Sequence, residues 1–534
     1  MISTTTSPQI FIGRSEVLEV LNKRVESLKS GYRQNIALTG QKLCGKTSIL
    51  QQFLANLKDN SLIPVYIEVR GGSLEAFAEQ FIGTMLLNFF RPSCEEMQED
   101  LQFLINKAQE TIPKTAASIR RVLSLLEKKD YPEAYSSLFN LTSSLREEGG
   151  KPCIIILDEF HNLSGFSLKN PFAIFGKKIM VQKDTMYVVT SSNVSSIKKI
   201  LREKLDLLFG NFEVLEIRDF EFSVSRLFLE KRLEGIKLHD ELKDFLIAFT
   251  DGRPFYLDIV ASKLTDISGQ LQFKWLGPSH IAQALEDLLF NSKGSINQYF
   301  QNLISTLGPA ASEDECMDLL AAISEGKKRL NQMRGSFSGK TADMPARMQR
   351  LIDENLVSKN GIIYYFNDRV FEFWVRYVYS KKRRSLVSIF QDRSNIFKKD
   401  METLIAAFIA ENRKGAYERV RELCSNFSNE VITISEKSIK FPRFTRVEAD
   451  TASCPNGELT IKASYNKDKL WIFKLSRKNV DEAVVSEYIE RFKDSDPAPQ
   501  RKILIALEGV DTNAMLLAKE KKIWIWSKET LNLI

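Results

Sequence analysis

The sequence predicts an α/β protein built on a parallel sheet, with an all-helical segment and two smaller modules after it. Two stretches carry this expectation. Gly40-Gln41-Lys42-Leu43-Cys44-Gly45-Lys46-Thr47 follows the apolar run Ile36-Ala37-Leu38 and precedes Ile49, Leu50, Phe53, Leu54 and Leu57 at helical spacing, so a glycine-bearing loop joins a buried strand to a helix. Cys153-Ile154-Ile155-Ile156-Leu157-Asp158-Glu159 is a continuous apolar run ending in two acids. That is the pattern of a central parallel strand whose carboxylates emerge at the C-terminal edge of a doubly wound sheet. Leu62 to Val69, Met186 to Asn193 and Phe212 to Ile217 read as further strands, and strand, helix, strand in this order favours right-handed parallel crossovers.

The loop has the residues a phosphate-binding loop needs. Glycines let the backbone wrap closely around phosphates, and successive N–H groups with the helix N-terminus supply partial positive charge. Gly40, Gln41, Lys42, Leu43, Cys44, Gly45, Lys46, Thr47 and Ser48 are the candidate contacts: Lys46 would reach the β- and γ-phosphates and Thr47 would offer its hydroxyl to Mg²⁺. Cys44 sits at an unconstrained position. Asp158 would hold Mg²⁺ through water, because that ion dehydrates reluctantly and takes one or two carboxylates. Glu159 would orient or deprotonate the attacking water.

Phe11-Ile12-Gly13-Arg14, followed by a helical pattern through Val17, Leu18 and Leu21, stands some thirty residues ahead of the loop. This arrangement resembles the start of AAA+/STAND P-loop ATPases of the archaeal-ATPase and Orc/Cdc6 kind. The resemblance implies ATP or ADP with Mg²⁺ as the bound species and makes Ile12, Gly13 and Arg14 candidates for the base side; an ordinary helix entry explains the same residues. The polar tip Ser191-Ser192-Asn193 matches the sensor 1 position, with Ser192 or Asn193 near the γ-phosphate. Where relatives often carry an arginine finger the chain reads Leu208-Phe209-Gly210-Asn211, which implies slow hydrolysis or another arginine such as Arg202. Asp251-Gly252-Arg253-Pro254 resembles the G-x-P motif of the family's helical lid, making Arg253 and Pro254 nucleotide-side candidates. A helix cap with a solvated arginine is the other reading.

Composition bounds the rest. A chain of 534 residues is too long for one core. We expect a nucleotide core over 1–234 with a helical insertion at about 73–150, a lid over 235–308, a winged helix over 309–380 and a last module over 385–534. The insertion reads as helices Leu74 to Phe90, Glu95 to Gln109, Ala116 to Lys128 and Tyr131 to Glu147. No charged-then-apolar leader opens the chain and its apolar runs are too short for a bilayer, so the expected compartment is the cytoplasm, without membrane contact. Six scattered cysteines without C-x-x-C spacing argue against a zinc site, and three histidines argue against histidine-based metal chemistry. A net charge of +7 permits an acidic partner without demanding one.

The winged-helix expectation rests on three helices and then Leu356 to Phe366, two strands about Asn360-Gly361. Arg347, Gln349 and Arg350 on the third helix and Lys359 in the wing lie where such domains touch DNA. Packing against the nucleotide domain is the competing use. Arg376 and Lys381-Lys382-Arg383-Arg384 form the most concentrated basic patch, read either as a phosphate-backbone contact or as a solvated linker.

The order of elements after 385 resembles restriction-endonuclease-like PD-(D/E)xK domains. Laying Gly457-Glu458-Leu459-Thr460-Ile461 and Trp471-Ile472-Phe473-Lys474-Leu475-Ser476 on that family's two motifs puts Thr460, Lys474 and Ser476 at its aspartate, glutamate and lysine. All three catalytic positions are lost, which implies a nuclease fold without nuclease chemistry; a shifted motif using Glu448 and Asp450 is the active alternative. The expected function is an ATP-driven switch coupled to double-stranded DNA, to self-association or to a partner protein. A nucleotide-stabilised scaffold is the second expectation and a nuclease effector the third.

Overall fold

The computed structural model describes residues 11–91, 100–204, 212–384, 390–413, 416–426, 430–434, 437–450, 459–466, 469–476, 478–493, 498–507 and 509–526. The chain forms two compact units, one ending at Tyr299 and the other beginning at Phe300. The division falls inside the helix Ser295–Ser305.

The first unit is built on five parallel strands: β1 (Asn35–Thr39), β2 (Ile63–Glu68), β3 (Cys153–Asp158), β4 (Thr185–Ser191) and β5 (Phe212–Glu216). Their order is β2-β3-β4-β1-β5. Every residue of β1, β3 and β4 is buried. Alternation divides each strand between two cores. Ile154 and Ile156 join Ile36, Leu38, Ile49, Leu50 and Phe53 on one face, against α1 (Ser15–Lys29) and α2 (Lys46–Asn56). Cys153, Ile155 and Leu157 join Ala37 and Val189 on the other.

That second face carries the helical stretch. Helices α3 (Leu74–Phe90), α4 (Leu101–Thr111), α5 (Pro113–Glu127) and α6 (Tyr131–Gly149) share one continuous apolar core with the sheet and with α7 (Pro171–Val181). Phe139 sits at its centre, edge-on to Phe81, Phe175 and Tyr135 at centroid distances of 5.8, 5.2 and 5.1 Å. Helices α3 to α6 thus form a layer packed on this face of the sheet. After β5 come α8 (Phe222–Arg232), α9 (Asp240–Thr250), α10 (Pro254–Leu271) and α11 (Pro278–Leu285).

In the second unit, helices Ala310–Ser324, Leu330–Met333 and Met344–Asp353 precede an antiparallel hairpin, Val357–Asn360 with Ile363–Phe366. Further along, strands Arg446–Asp450, Leu459–Tyr465 and Lys469–Ser476 pair antiparallel in chain order, and Arg501–Ala506 and Ile523–Trp526 add in parallel. Helix Glu482–Arg491 crosses between the third and fourth strands, with the Asp481 side chain accepting from the Val484 N–H as its cap.

Because Phe139 is fully buried among aromatic rings, Phe139→Ala should destabilise the first unit by about 3–5 kcal/mol. Chemical denaturation followed by tryptophan fluorescence and circular dichroism checks this; an unchanged first transition would mean that the helical stretch folds apart from the sheet.

Candidate nucleotide site

The loop after β1 is shaped by close approach. A Cβ on Gly40 would come within 2.2 Å of the Ile217 carbonyl oxygen, so no larger residue fits there. Gly45, at φ +94°, caps α2 from the left-handed region that glycine enters without strain. The turn folds Lys46 back over the loop: its side chain is buried, and Nζ donates to the carbonyls of Gly40 at 2.9 Å and Gln41 at 2.7 Å. Cys44 is buried beneath it, and burial pushes its thiol up, which makes it unreactive filler.

Asp158, at the end of β3, is the hub of the facing edge. Its Oδ2 accepts from the Thr47 hydroxyl at 2.8 Å and from the Tyr66 hydroxyl at 2.9 Å. Its Oδ1 accepts from Thr190 and from the Glu159 N–H. Burial and the neighbouring Asp158 raise Tyr66 far above a phenol's ordinary range, keeping it a donor. Tyr66 and Thr190 are missing from the sequence-derived site. Their signal is a polar group interrupting an otherwise apolar strand close to its C-terminal end.

Glu159 leaves the strand in the left-handed region at φ +54°. Its Oε2 accepts from the Ser192 N–H at 3.0 Å and the Ser192 hydroxyl at 2.8 Å. Of the two sensor 1 candidates, Ser192 touches Glu159, while the Asn193 side chain accepts from the Ser196 N–H as a helix cap. His161, absent from the sequence-derived list, lies 3.3 Å from the same Glu159 oxygen. Burial pushes its imidazole below the ordinary range; Glu159 opposes this, and Lys42 and Lys46 add to it.

On the opposite flank, Ile12 is half-buried, and Gly13 at φ +70° lies beside Val224 of α8. Arg14 donates to the carbonyls of Cys44 and Arg218 and lies over the Phe220 ring at 4.9 Å, so it ties the N-terminal segment to the loop and to the exit of β5. Arg253, just before Pro254 starts α10, is 4% exposed. It pairs with Asp219 at 3.2 Å and donates to the Gln41 side chain at 2.7 Å. The solvated-cap reading of Arg253 is therefore wrong: the arginine is buried against the phosphate loop. Asn211 lies outside the described residues, and Arg202 is exposed.

The other sequence-derived positions lie in the second unit. Arg347 pairs with Glu315, and Arg350 donates to the Thr306 carbonyl at 3.3 Å, so both arginines of helix Met344–Asp353 are engaged within the second unit. Gln349 bonds Asp353 at 2.9 Å, and Lys359 is exposed beside the Tyr364 ring. The basic run is helical and its residues 381–383 are exposed, with Lys381 on Asp400 and Arg383 on Asp318. Thr460 and Lys474 are register partners on adjacent strands, and with Ser476 they are fully buried. Lys474 Nζ is 3.4 Å from Glu487, so an ammonium stands where the resemblance expects a metal-binding carboxylate. Glu448 is exposed and bonded to Arg446; the Asp450 side chain falls outside the described residues.

Lys474 is fully buried while Glu487 is 61% exposed, and taking an ammonium out of water costs more than such a pair returns. Lys474→Met should therefore leave the second unit's unfolding midpoint unchanged or raised, and wild-type protein with Mg²⁺ should leave plasmid DNA intact. Denaturation and gel assays check both.

Three comparisons bear on this geometry. Residues 11–260 match the family model described as an ATPase domain predominantly from Archaea. An uncharacterised ATP-binding protein of Methanocaldococcus jannaschii is 21% identical over 345 residues, 60% of this chain and 85% of that protein. Among solved structures, a Walker-type ATPase of Pyrococcus abyssi aligns over 70% of this chain and 99% of its own, at 18% identity and a TM-score of 0.48. The ORC1 protein of Aeropyrum pernix, in complex with DNA, aligns over 69% and 93%, at 13% identity and a TM-score of 0.40. The phosphate loop and the strand-end acids both fall within the segment 11–260 that is similar to this ATPase domain.

Proposed function

We propose that this protein is an ATP-driven switch of the STAND/AAA+ kind, which hydrolyses slowly and passes its nucleotide state to the winged-helix and nuclease-like modules downstream. The carrying observation is the bond from Arg253 to Gln41. It ties the head of a lid helix to the phosphate loop, so a group entering the loop must act on the lid.

The residues present fit magnesium nucleotide. The loop N–H groups and Lys46 meet the phosphates, and Ile12, Gly13 and Arg14 flank the base side. Thr47 and Asp158, already in contact, form the donor pair that would hold Mg²⁺. The cation, when bound, neutralises phosphate charge. Glu159 orients the water and takes its proton; the water oxygen bonds to the γ-phosphorus as the bond to the β–γ bridging oxygen breaks, leaving ADP and phosphate. Ser192 holds Glu159 meanwhile. Nucleotide can shift the lid only by binding its two positions with different affinity, and Arg253 provides that difference by exchanging Gln41 and Asp219 for phosphate.

Double-stranded DNA, further copies of this chain and a partner protein are the candidate outputs. The internal use of Arg347 and Arg350 favours protein contact, and with it the scaffold reading, over recognition-helix readout. Thr460, the buried Lys474 and Ser476 disfavour the nuclease effector.

Lys46→Ala should abolish ATP binding by calorimetry, and Glu159→Gln should keep binding while lowering turnover by about 10²–10⁴-fold. Equal turnover in Glu159→Gln and wild type would leave the scaffold reading alone. If DNA is the output, duplex affinity should fall steeply with salt and weaken in Lys359→Ala whatever the sequence. Absence of any complex at low salt would leave self-association, which light scattering with ADP and with ATP would detect.

A further inference from the structure

One oxygen of Glu159 meets three polar neighbours. Besides the two donors of Ser192, His161 approaches Oε2 through Nδ1. That nitrogen also lies 3.0 Å from Ser191 Oγ. A carboxylate oxygen only accepts, so the imidazole attracts Oε2 in the form that carries its proton on Nδ1. Ser191 Oγ is held in turn by Asn193, accepting from its N–H at 3.1 Å and donating to its carbonyl at 3.2 Å. Among the described residues no hydrogen bond reaches Glu159 Oε1. The two ends of the carboxylate are therefore unlike: one is held against the tip of β4, the other open to the loop.

The imidazole is fixed by its surroundings. It rides on the single turn Phe160–Gly165, whose Phe160 and Leu163 are buried in the core formed by the helical stretch. Phe160 packs on Phe175 at 5.1 Å, and Phe166, just beyond the turn, packs on Phe77 of α3 at 5.2 Å. The Asn162 amide donates to the Val69 carbonyl at 2.9 Å, closing the turn against the end of β2. Helices α3 to α6 thus reach the chemical edge of the sheet through this turn.

We propose that His161 is a positioning residue for ATP hydrolysis: braced by Ser191, it holds Glu159 Oε2 so that Oε1 faces the attacking water. The proposal rests on the reading that Glu159 directs that water. It gives the helical stretch a role in catalysis, as the anchor of the turn that carries the imidazole.

The test uses the full chain and steady-state ATP hydrolysis, with nucleotide affinity measured separately. His161→Ala should lower kcat roughly a hundredfold, the scale of a misplaced catalytic group, with KM and ATP affinity within about twofold of wild type. His161→Gln, whose amide can still donate, should recover most of the loss. In a Glu159→Gln background, His161→Ala should cost nothing further. A kcat for His161→Ala that matches or exceeds wild type, while Glu159→Gln is inactive, overturns this proposal alone. So do equal losses in the Ala and Gln variants together with lowered melting temperatures, or a further loss in the double variant. Wild-type turnover by Glu159→Gln overturns the reading of Glu159 and the proposal with it.

Discussion

The hydrogen bond from Thr47 to Asp158 joins segments 111 residues apart, and the nucleotide site depends on it. One partner opens a helix and the other closes a strand, so the contact sets how far α2 stands from the C-terminal edge of β3. Tyr66 and Thr190 reach the same carboxylate from the strands on either side. Four elements thereby converge on one buried acid, whose hydrogen bonds are satisfied before any ligand arrives. Satisfied buried polar groups specify geometry because any displacement strands a donor or an acceptor.

Around this edge the protein spends its charges on internal contacts. Arg14 and Arg253 both approach the phosphate loop from segments outside it, and each is tied by protein acceptors. The same economy recurs downstream. Arg347 faces Glu315, Lys381 faces Asp400 and Arg383 faces Asp318. The basic patch read as a phosphate-backbone contact is in part paired within the second unit, which lowers the charge available to a phosphate backbone.

The helical stretch between β2 and β3 is explained by its core. Its buried rings continue the apolar face of the sheet, and Phe160 and Phe166 extend that core to the turn after Glu159. A layer packed at interior density transmits position rather than absorbing it, so helices that do not line the loop still set side chains at its far edge.

By itself the sequence determined the parallel sheet, the phosphate loop and the strand-end acids. These depend on local pattern: apolar runs of strand length, glycines at fixed offsets, and acids at the end of a buried run. It also determined that Thr460, Lys474 and Ser476 lack the residue types of a nuclease site. What it left open depends on partners distant in the chain. Whether Ser192 or Asn193 meets Glu159 turned on which side chain capped the next helix. That Tyr66, Thr190 and His161 join the site follows from strand order and from the turn packed on the helical layer, and that Arg253 is buried follows from Gln41 and Asp219 facing it. Hydrogen bonds between such segments leave no periodicity in the sequence, so only the tertiary structure decided them.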